Sequence, residues 1–424
     1  MTNETTKSNA SGDAPKDLAV DISDERLVRH EGLGGAVRGF FQRVRGGDLG
    51  SLPVVIGLIL IWGVFQVMNP NFMSSNNLVD LTMQSAATGT IAIGVVLVLL
   101  IAQIDLSIGS VSGLASAILA VGMIQLGWPI WVAVLVALAA AVAIGFLYGI
   151  LYTRFGVPTF VITLAGLLAV LGLQLKVLGP NGSINLPYDS WIIQLGTTMF
   201  LPPWAAYAVA IIAVLAMFFS DWFRSRRRVN AGLTGDPLTV MFIKSGLLLV
   251  LLLVAVWYLA TSRGLGVMFV LFVAFVVIMN FFLTRTRWGR AVYAVGGNVE
   301  AARRAGIKVN RIVISVLMLG TMFAAIGGLF ATARLTAATL SSGGGDTNLV
   351  AIAAAVIGGT SLFGGRGSAY SALLGILVIQ SISNGLSLLN FDSSVRYMIT
   401  GAVLLLAVII DALSRRSRAT HGQA

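Results

Sequence analysis

No cysteine occurs in the 424 residues, which excludes disulfides, thiolate metal sites and cysteine nucleophiles. Histidine is nearly as scarce. His30 and His421 lie in the polar tails, so the apolar part of the chain lacks the commonest metal ligand, the usual general base and the usual proton relay. Charge is sparse too: 11% of residues are charged and 57% are hydrophobic, where a soluble domain is about a quarter charged. Acids are the scarcer sign, 17 against 28 Lys and Arg. None falls mid-way along an apolar stretch; Asp80, Asp105, Asp346 and Asp411 sit at the ends of such stretches and the others in tails or loops. A charge at the bilayer centre costs about 2.5–3.5 kcal/mol, so carriers that keep one use it for a proton or an ion. Its absence disfavours proton coupling and leaves sodium coupling through backbone carbonyls open. No phosphate-binding G-x-x-x-x-G-K-[ST] loop, no HExxH and no GxSxG is present, and no catalytic or metal cluster can be assembled, so the chain does not read as an enzyme.

What is abundant is apolar length. A span needs about 20 mostly apolar residues, and twelve stretches approach that: 51–68, 82–103, 108–125, 130–152, 158–177, 204–220, 241–260, 266–283, 312–333, 347–362, 369–389 and 395–412. The expected fold class is all-α, a polytopic transmembrane helical bundle of about 12 spans, within a range of 10 to 14. The third and tenth stretches, rich in Gly, Ser and Ala, could be broken or re-entrant helices, which lipid permits only where protein or a water-filled cavity surrounds them. Residues 1–49 read as a disordered cytoplasmic tail with a basic lead-in, Ala36 to Arg45, and carry no signal-peptide pattern; 50–412 form the membrane domain, and 413–424 a basic cytoplasmic tail.

If the N-terminus is cytoplasmic, 24 of the 28 Lys and Arg fall in inside segments, and Lys176, Arg263, Arg334 and Arg396 fall outside. That asymmetry fits the positive-inside rule. Both termini are therefore expected in the cytoplasm, and the formal charge of +11 reflects topology without calling for nucleic acid. No loop is long enough for a folded domain, so an ATP site or a large binding domain would have to lie on another chain.

The longest polar interruption of the second half runs from Thr284 to Arg311 and holds seven Lys and Arg against one acid, Glu300. Its later part, NVEAARRAGI, reads as a short helix: Asn298 caps it, Glu300 suits the positive end of the helix dipole, Arg303 and Arg304 follow, and Gly306 stops it. Elsewhere, polar residues beside or within spans include Gln84, Thr88, Gln103, Asp105, Ser107, Thr163, Gln380, Ser381, Ser383 and Asn384. They suit either a hydrogen-bonding lining for an uncharged polar solute or interhelical hydrogen bonds, worth about 0.6 kcal/mol each. Gln380 and Asn384, four apart on one helix face, make the best lining candidates, alongside Gln103, Asp105 and Ser107. Glycine numbers 48; close helix packing accounts for most, while Gly358, Gly359, Gly364 and Gly365 could break helices beside a pathway. A faint echo links Leu106, Gly109 and Ser112 with Leu362, Gly365 and Ser368. It is compatible with chance or with two related halves.

Three passages carry a family resemblance, in this order: QIDLSIGS (Gln103 to Ser110), the segment Gly289 to Ile307, which ends in AVGGNVEAARRAGI, and AIAAAVIGGTSLFGGRGS (Ala351 to Ser368). Together they resemble the permease subunits of bacterial ATP-driven monosaccharide importers of the ribose, xylose and galactose type. The resemblance extends from about residue 50 to 412. It implies a second permease copy, two cytoplasmic ATP-binding subunits, a periplasmic sugar-binding protein and a lipid bilayer as partners, with ATP held by the partner subunit and no cofactor in this chain. Glu300, Ala301, Ala302 and Gly306 match the EAA-and-glycine pattern whose short helix docks on the ATPase in such permeases, with Arg303 and Arg304 beside it. Residues 204–265 add two spans around DWFRSRRRVNAGLTGDP (Asp221 to Pro237), as in the longer xylose-type permeases, which makes D-xylose the expected sugar. An ion-coupled secondary carrier is the alternative.

Overall fold

A computed structural model describes residues 52–180, 182–230 and 238–420; the expected N-terminal tail and its basic lead-in lie outside them. The chain is almost wholly helical, in the order α1 (Leu52–Met68), α2 (Ser75–Leu100), α3 (Ile108–Ile124), α4 (Ile130–Phe155), α5 (Thr159–Leu178), β1 (Ser183–Asn185), α6 (Trp191–Thr197), α7 (Pro203–Asn230), α8 (Leu238–Ala260), α9 (Val267–Arg285), α10 (Arg287–Gly297), α11 (Val299–Arg304), α12 (Val309–Leu335), β2 (Ala337–Thr339), α13 (Gly345–Ile357), α14 (Ala369–Leu388) and α15 (Ser393–Thr420). The two strands pair antiparallel with Ile184 opposite Ala338, a small departure from an all-α chain. Each expected apolar stretch is a helix, but among the described residues eight are long and apolar enough to cross a membrane: α2, α4, α5, α7, α8, α9, α12 and α14. Of the other four, α1 and α3 have 17 residues and α13 has 13, and at 1.5 Å per residue α13 reaches only about 20 Å.

Several boundaries differ from the sequence-based expectation: α7 continues to Asn230, ten residues past the expected end and into the expected basic loop, and α13 stops at Ile357, five residues short. Helix α2 begins at Ser75, seven residues before the expected apolar start, because the Ser74 side chain accepts a hydrogen bond from the Asn77 N–H and caps it. This places Asp80 inside the helix. Helix α15 continues to Thr420, so the basic end from residue 413 is helical for most of its length; no Gly or Pro interrupts Ala402 to Thr420, and its Ala, Leu and Arg are good helix formers.

The chain divides into two compact units. The smaller comprises, among the described residues, Ala208–Val254, most of α7 and α8, within residues 204–265. Its helices meet through Phe218 and Phe242, ring centroids 5.0 Å apart, and through Lys244 Nζ to Asp221 Oδ2 at 3.2 Å. The larger, Leu49–Tyr207 with Ala255–Ala424, is built around α12, which packs on α2, α3 and α4. Every residue of α2 from Gly89 to Leu100 is buried.

Those contacts depend on missing side chains. A Cβ on Gly328 would overlap the Ser112 carbonyl oxygen, one on Gly327 would lie 2.7 Å from the Ala87 carbonyl oxygen, and one on Gly145 would lie 2.6 Å from that of Leu317. Ser116 Oγ adds a 3.0 Å bond to the Gly328 carbonyl. Without a hydrophobic difference between lipid and leucine, this close approach of backbones, with the dispersion contacts it permits, holds the helices together. Gly328→Ala should push α3 from α12 and destabilise the fold by about 1–3 kcal/mol, read as a lower melting temperature in detergent. Gly57→Ala in α1, whose Cβ meets no atom within 4 Å, should cause no loss.

Candidate functional site

The basic loop folds as two helices. Thr286 ends α9 and starts α10, its side chain accepting from the Gly289 N–H; a Cβ on Gly289 would overlap the Leu283 carbonyl, so this tight corner needs glycine. Helix α10 buries Val292, Val295 and Gly296, and Trp288 Nε1 donates to Ser315 Oγ of α12 at 2.8 Å. Helix α11 is the short helix expected from NVEAARRAGI. Asn298 Oδ1 accepts from the Ala301 N–H at 2.9 Å. The other end closes with Gly306 N–H to the Arg303 carbonyl at 3.0 Å and Ile307 N–H to the Ala302 carbonyl at 3.1 Å. This is a Schellman motif, and it uses Gly306 at φ +82°. Ala302 is buried, whereas Glu300, Ala301, Arg303, Arg304 and Gly306 are exposed. Arg303 Nη1 lies 3.1 Å from Glu300 Oε1, an exposed pair worth little by itself. The result is a capped helix seated by the buried Ala302 and the half-buried Val299 and Ile307, with its charged face exposed.

Gln103, Asp105 and Ser107 come together in the connection 101–107 between α2 and α3. Its backbone is unwound beside apolar helices, with Ala102 and Ile104 exposed and Asp105 and Ser107 buried, and protein groups meet much of its hydrogen bonding. Leu106 N–H donates to Thr163 Oγ1 of α5 at 3.1 Å. Asn348 of α13 donates through Nδ2 to the Leu106 carbonyl and accepts through Oδ1 from the Gly109 N–H. Gln103 Oε1 accepts from Thr159 Oγ1 at 2.6 Å. Asp105 Oδ1 accepts from both the N–H and the Oγ of Ser107, at 2.8 and 2.7 Å, while its Oδ2 is buried with no partner among the described residues. Sequence reasoning missed Asn348; its one signal is an amide that follows Asp346 and Thr347 directly before the apolar run of the helix, GDTNLVAIAAAVI.

Gln380 and Asn384 lie apart from that group, between α14 and α2. Gln380 Nε2 donates to Gln84 Oε1 at 2.6 Å, and Asn77 and Asn384 exchange amide hydrogen bonds at 2.8 and 3.0 Å. Ser381 Oγ accepts from Trp62 Nε1 at 2.8 Å. These amides bridge helices, and the five lining candidates form two separate groups. Of the four glycines expected to break helices, Gly359, Gly364 and Gly365 have φ of +102°, +82° and +71° between α13 and α14, joined there by Gly367 at +142°, whereas Gly358 keeps a helical φ of −68° at the end of α13.

Residues 77–408 match the family described as branched-chain amino acid transport system / permease component. Among curated proteins, the chain is 35% identical to the xylose transport system permease protein XylH of Escherichia coli K12 over 81% of its length and 87% of that protein. It is 34% identical to XylH of Haemophilus influenzae over 86% and 96%, and 31% identical to the ribose import permease protein RbsC of E. coli K12 over 84% and 92%. No solved structure matches.

Asn348→Ala removes the partner of the Leu106 carbonyl and of the buried Gly109 N–H, at about 1–3 kcal/mol for each buried group left unsatisfied. Thermal unfolding in detergent should show a fall comparable to a core cavity, and Asn348→Asp, which can accept but not donate when ionised, should recover only part of it.

Proposed function

The chain belongs to the permease family matched over residues 77–408, and from that premise we propose that it is the membrane permease of an ATP-driven importer of a monosaccharide, D-xylose first among the candidates. The observation that carries the reading is similarity to xylose and ribose permeases along more than four fifths of the chain, joined to an exposed, doubly capped helix carrying Glu300, Ala301, Ala302 and Gly306. The higher identity with the xylose permeases and the additional middle helices α7 and α8 support a pentose of the xylose type.

In this reading two cytoplasmic ATP-binding subunits clamp the α11 helices of two permease copies, and a periplasmic binding protein delivers sugar to the other side. ATP stays on the partner subunits and this chain catalyses nothing. The shorter helices α1, α3 and α13, with the C-terminal α15, complete a twelve-helix membrane domain, with α3 and α13 as half-spans embedded in protein, and both termini are cytoplasmic. Closure of the ATPase pair displaces α11, and the helices exchange an outward-facing for an inward-facing cavity. The displacement is driven only if the ATPase binds the two states with different affinity.

Proteoliposomes holding the chain with its ATP-binding and sugar-binding partners should take up xylose only when ATP and both partners are present. Uptake by the chain alone on an ion gradient would overturn the proposal in favour of a secondary carrier. In the complete system, Glu300→Ala with Gly306→Val should lower uptake by an order of magnitude or more, roughly a 1.4 kcal/mol change per factor of ten. Because the chain has no cysteine, topology is directly testable. Asp189→Cys should react with an impermeant maleimide in intact spheroplasts, and Ala305→Cys only after lysis.

A further inference from the structure

Where α10 meets the two helix breaks, the contact is backbone on backbone. Leu100 closes α2, and its carbonyl, one of those a helix end leaves unpaired, accepts from the Gly365 N–H at 2.9 Å. Gly296, near the end of α10, lies against the same carbonyl so closely that a Cβ there would overlap the Leu100 oxygen. A Cβ on Gly364 would lie 2.6 Å from Ala102 Cβ and 2.7 Å from the Gly296 carbonyl oxygen, and one on Gly365 would lie 3.0 Å from Gly297 Cα. Tyr293 of α10 adds a hydrogen bond from its hydroxyl to the Gly367 carbonyl at 2.8 Å. Burial pushes the Tyr293 phenol above its usual range, so it remains a neutral donor at working pH.

Three segments distant in sequence therefore approach backbone to backbone at Gly296, Gly364 and Gly365, with the Ala102 methyl and Tyr293 beside them. The segments are the end of α2 with the 101–107 break, the 358–368 break, and the end of α10 just before α11. A side-chain contact can absorb a small displacement by changing rotamer; close-packed backbone cannot. The echo between Leu106, Gly109, Ser112 and Leu362, Gly365, Ser368 only partly falls on these breaks: Leu106 and the second set lie in them, Gly109 and Ser112 in the first turns of α3.

We propose that Tyr293, Gly296 and Gly365 form a rigid relay by which displacement of α11 moves both helix breaks together, making them positioning residues for the transport step. The relay rests on the permease reading above. Pulling α11 moves α10, and through Gly296 and Gly365 it moves the end of α2, the Asp105 connection and the start of α14 as one body. Loosening the relay should leave the ATPase docked and hydrolysing while the breaks no longer follow.

The test uses the complete importer in proteoliposomes, with ATP hydrolysis and xylose uptake measured on the same preparation, and copurification of the ATP-binding subunit as a check on docking. Gly296→Ala, which must displace Leu100, is paired with Gly297→Ala, whose Cβ meets no atom within 4 Å. Tyr293→Phe removes one hydrogen bond at nearly constant shape. Gly296→Ala should raise ATP hydrolysed per sugar by about fivefold or more with copurification unchanged, Tyr293→Phe should raise it less, and Gly297→Ala should match the parent. Where Gly296→Ala fails to accumulate in the membrane, Tyr293→Phe decides. Parental coupling in Tyr293→Phe and in any Gly296→Ala that accumulates, or loss of the ATP-binding subunit from Tyr293→Phe, would overturn the relay. Absence of ATP-dependent uptake by the parent complex would overturn the permease reading and the relay with it.

Discussion

Unwound backbone among apolar helices is tolerated only where protein supplies every hydrogen bond that water cannot, and the break between α2 and α3 shows what that demands. Its groups are met from four places: Gly365 at the Leu100 carbonyl, Thr163 at the Leu106 N–H, Asn348 at the Leu106 carbonyl and the Gly109 N–H, and Asp105 at Ser107. Those partners belong to the 358–368 break, to α5, to α13 and to the connection itself. The break thus cannot shift alone. Moving it means exchanging several buried hydrogen bonds at once, which favours two discrete arrangements over a continuous range.

Around that break the glycines do two different things. On α12 and its neighbours, Gly145, Gly327 and Gly328 let regular helices approach until one backbone touches the next, and dispersion over that area replaces the hydrophobic effect that lipid does not provide. At Gly364, Gly365 and Gly367 the positive φ angles turn the chain where a side-chain-bearing residue would be strained. The same residue type packs one part of the bundle and bends another, and only the dihedral angles distinguish the two uses.

How much of this is legible in the sequence follows from the range of each interaction. Helix α11 is fully legible, because its caps, Asn298 and Gly306, act on neighbours within a few residues. Helix α10 is not: Gly289, Gly296 and Gly297 lower its propensity, and its stability comes from packing that no local pattern announces. The start of α2 reads too late in the sequence because the polar turn Ser74 to Asp80 looks like a loop until Ser74 is seen to cap it. Gln380 and Asn384 are recognisable as amides on one helix face. Their partners, Gln84 and Asn77, lie about 300 positions away, and nothing in a single sequence records which amide meets which. Asn348 stands out as an amide, but its partners, Leu106 and Gly109, are hidden for the same reason.

The division of α11 into a small packed side and an exposed remainder bears on how force could enter the bundle. With Ala302 buried, Val299 and Ile307 half-buried beside it and Glu300 paired to Arg303 at the surface, the helix has a small hold on its own position, since the exposed pair adds little. Moving a two-state bundle from 1:99 to 99:1 takes about 5.5 kcal/mol of differential binding, which so small a helix cannot store. A bound partner has to supply it. The helix therefore needs to be stiff rather than strongly bonded, and its two caps provide that stiffness. Rigid attachment is needed one step further in, at α10, where Gly296 presses on the Leu100 carbonyl and Tyr293 holds the Gly367 carbonyl. A loosely held tip on a tightly held base lets the partner's geometry set the position of the tip while the base passes displacement inward without loss.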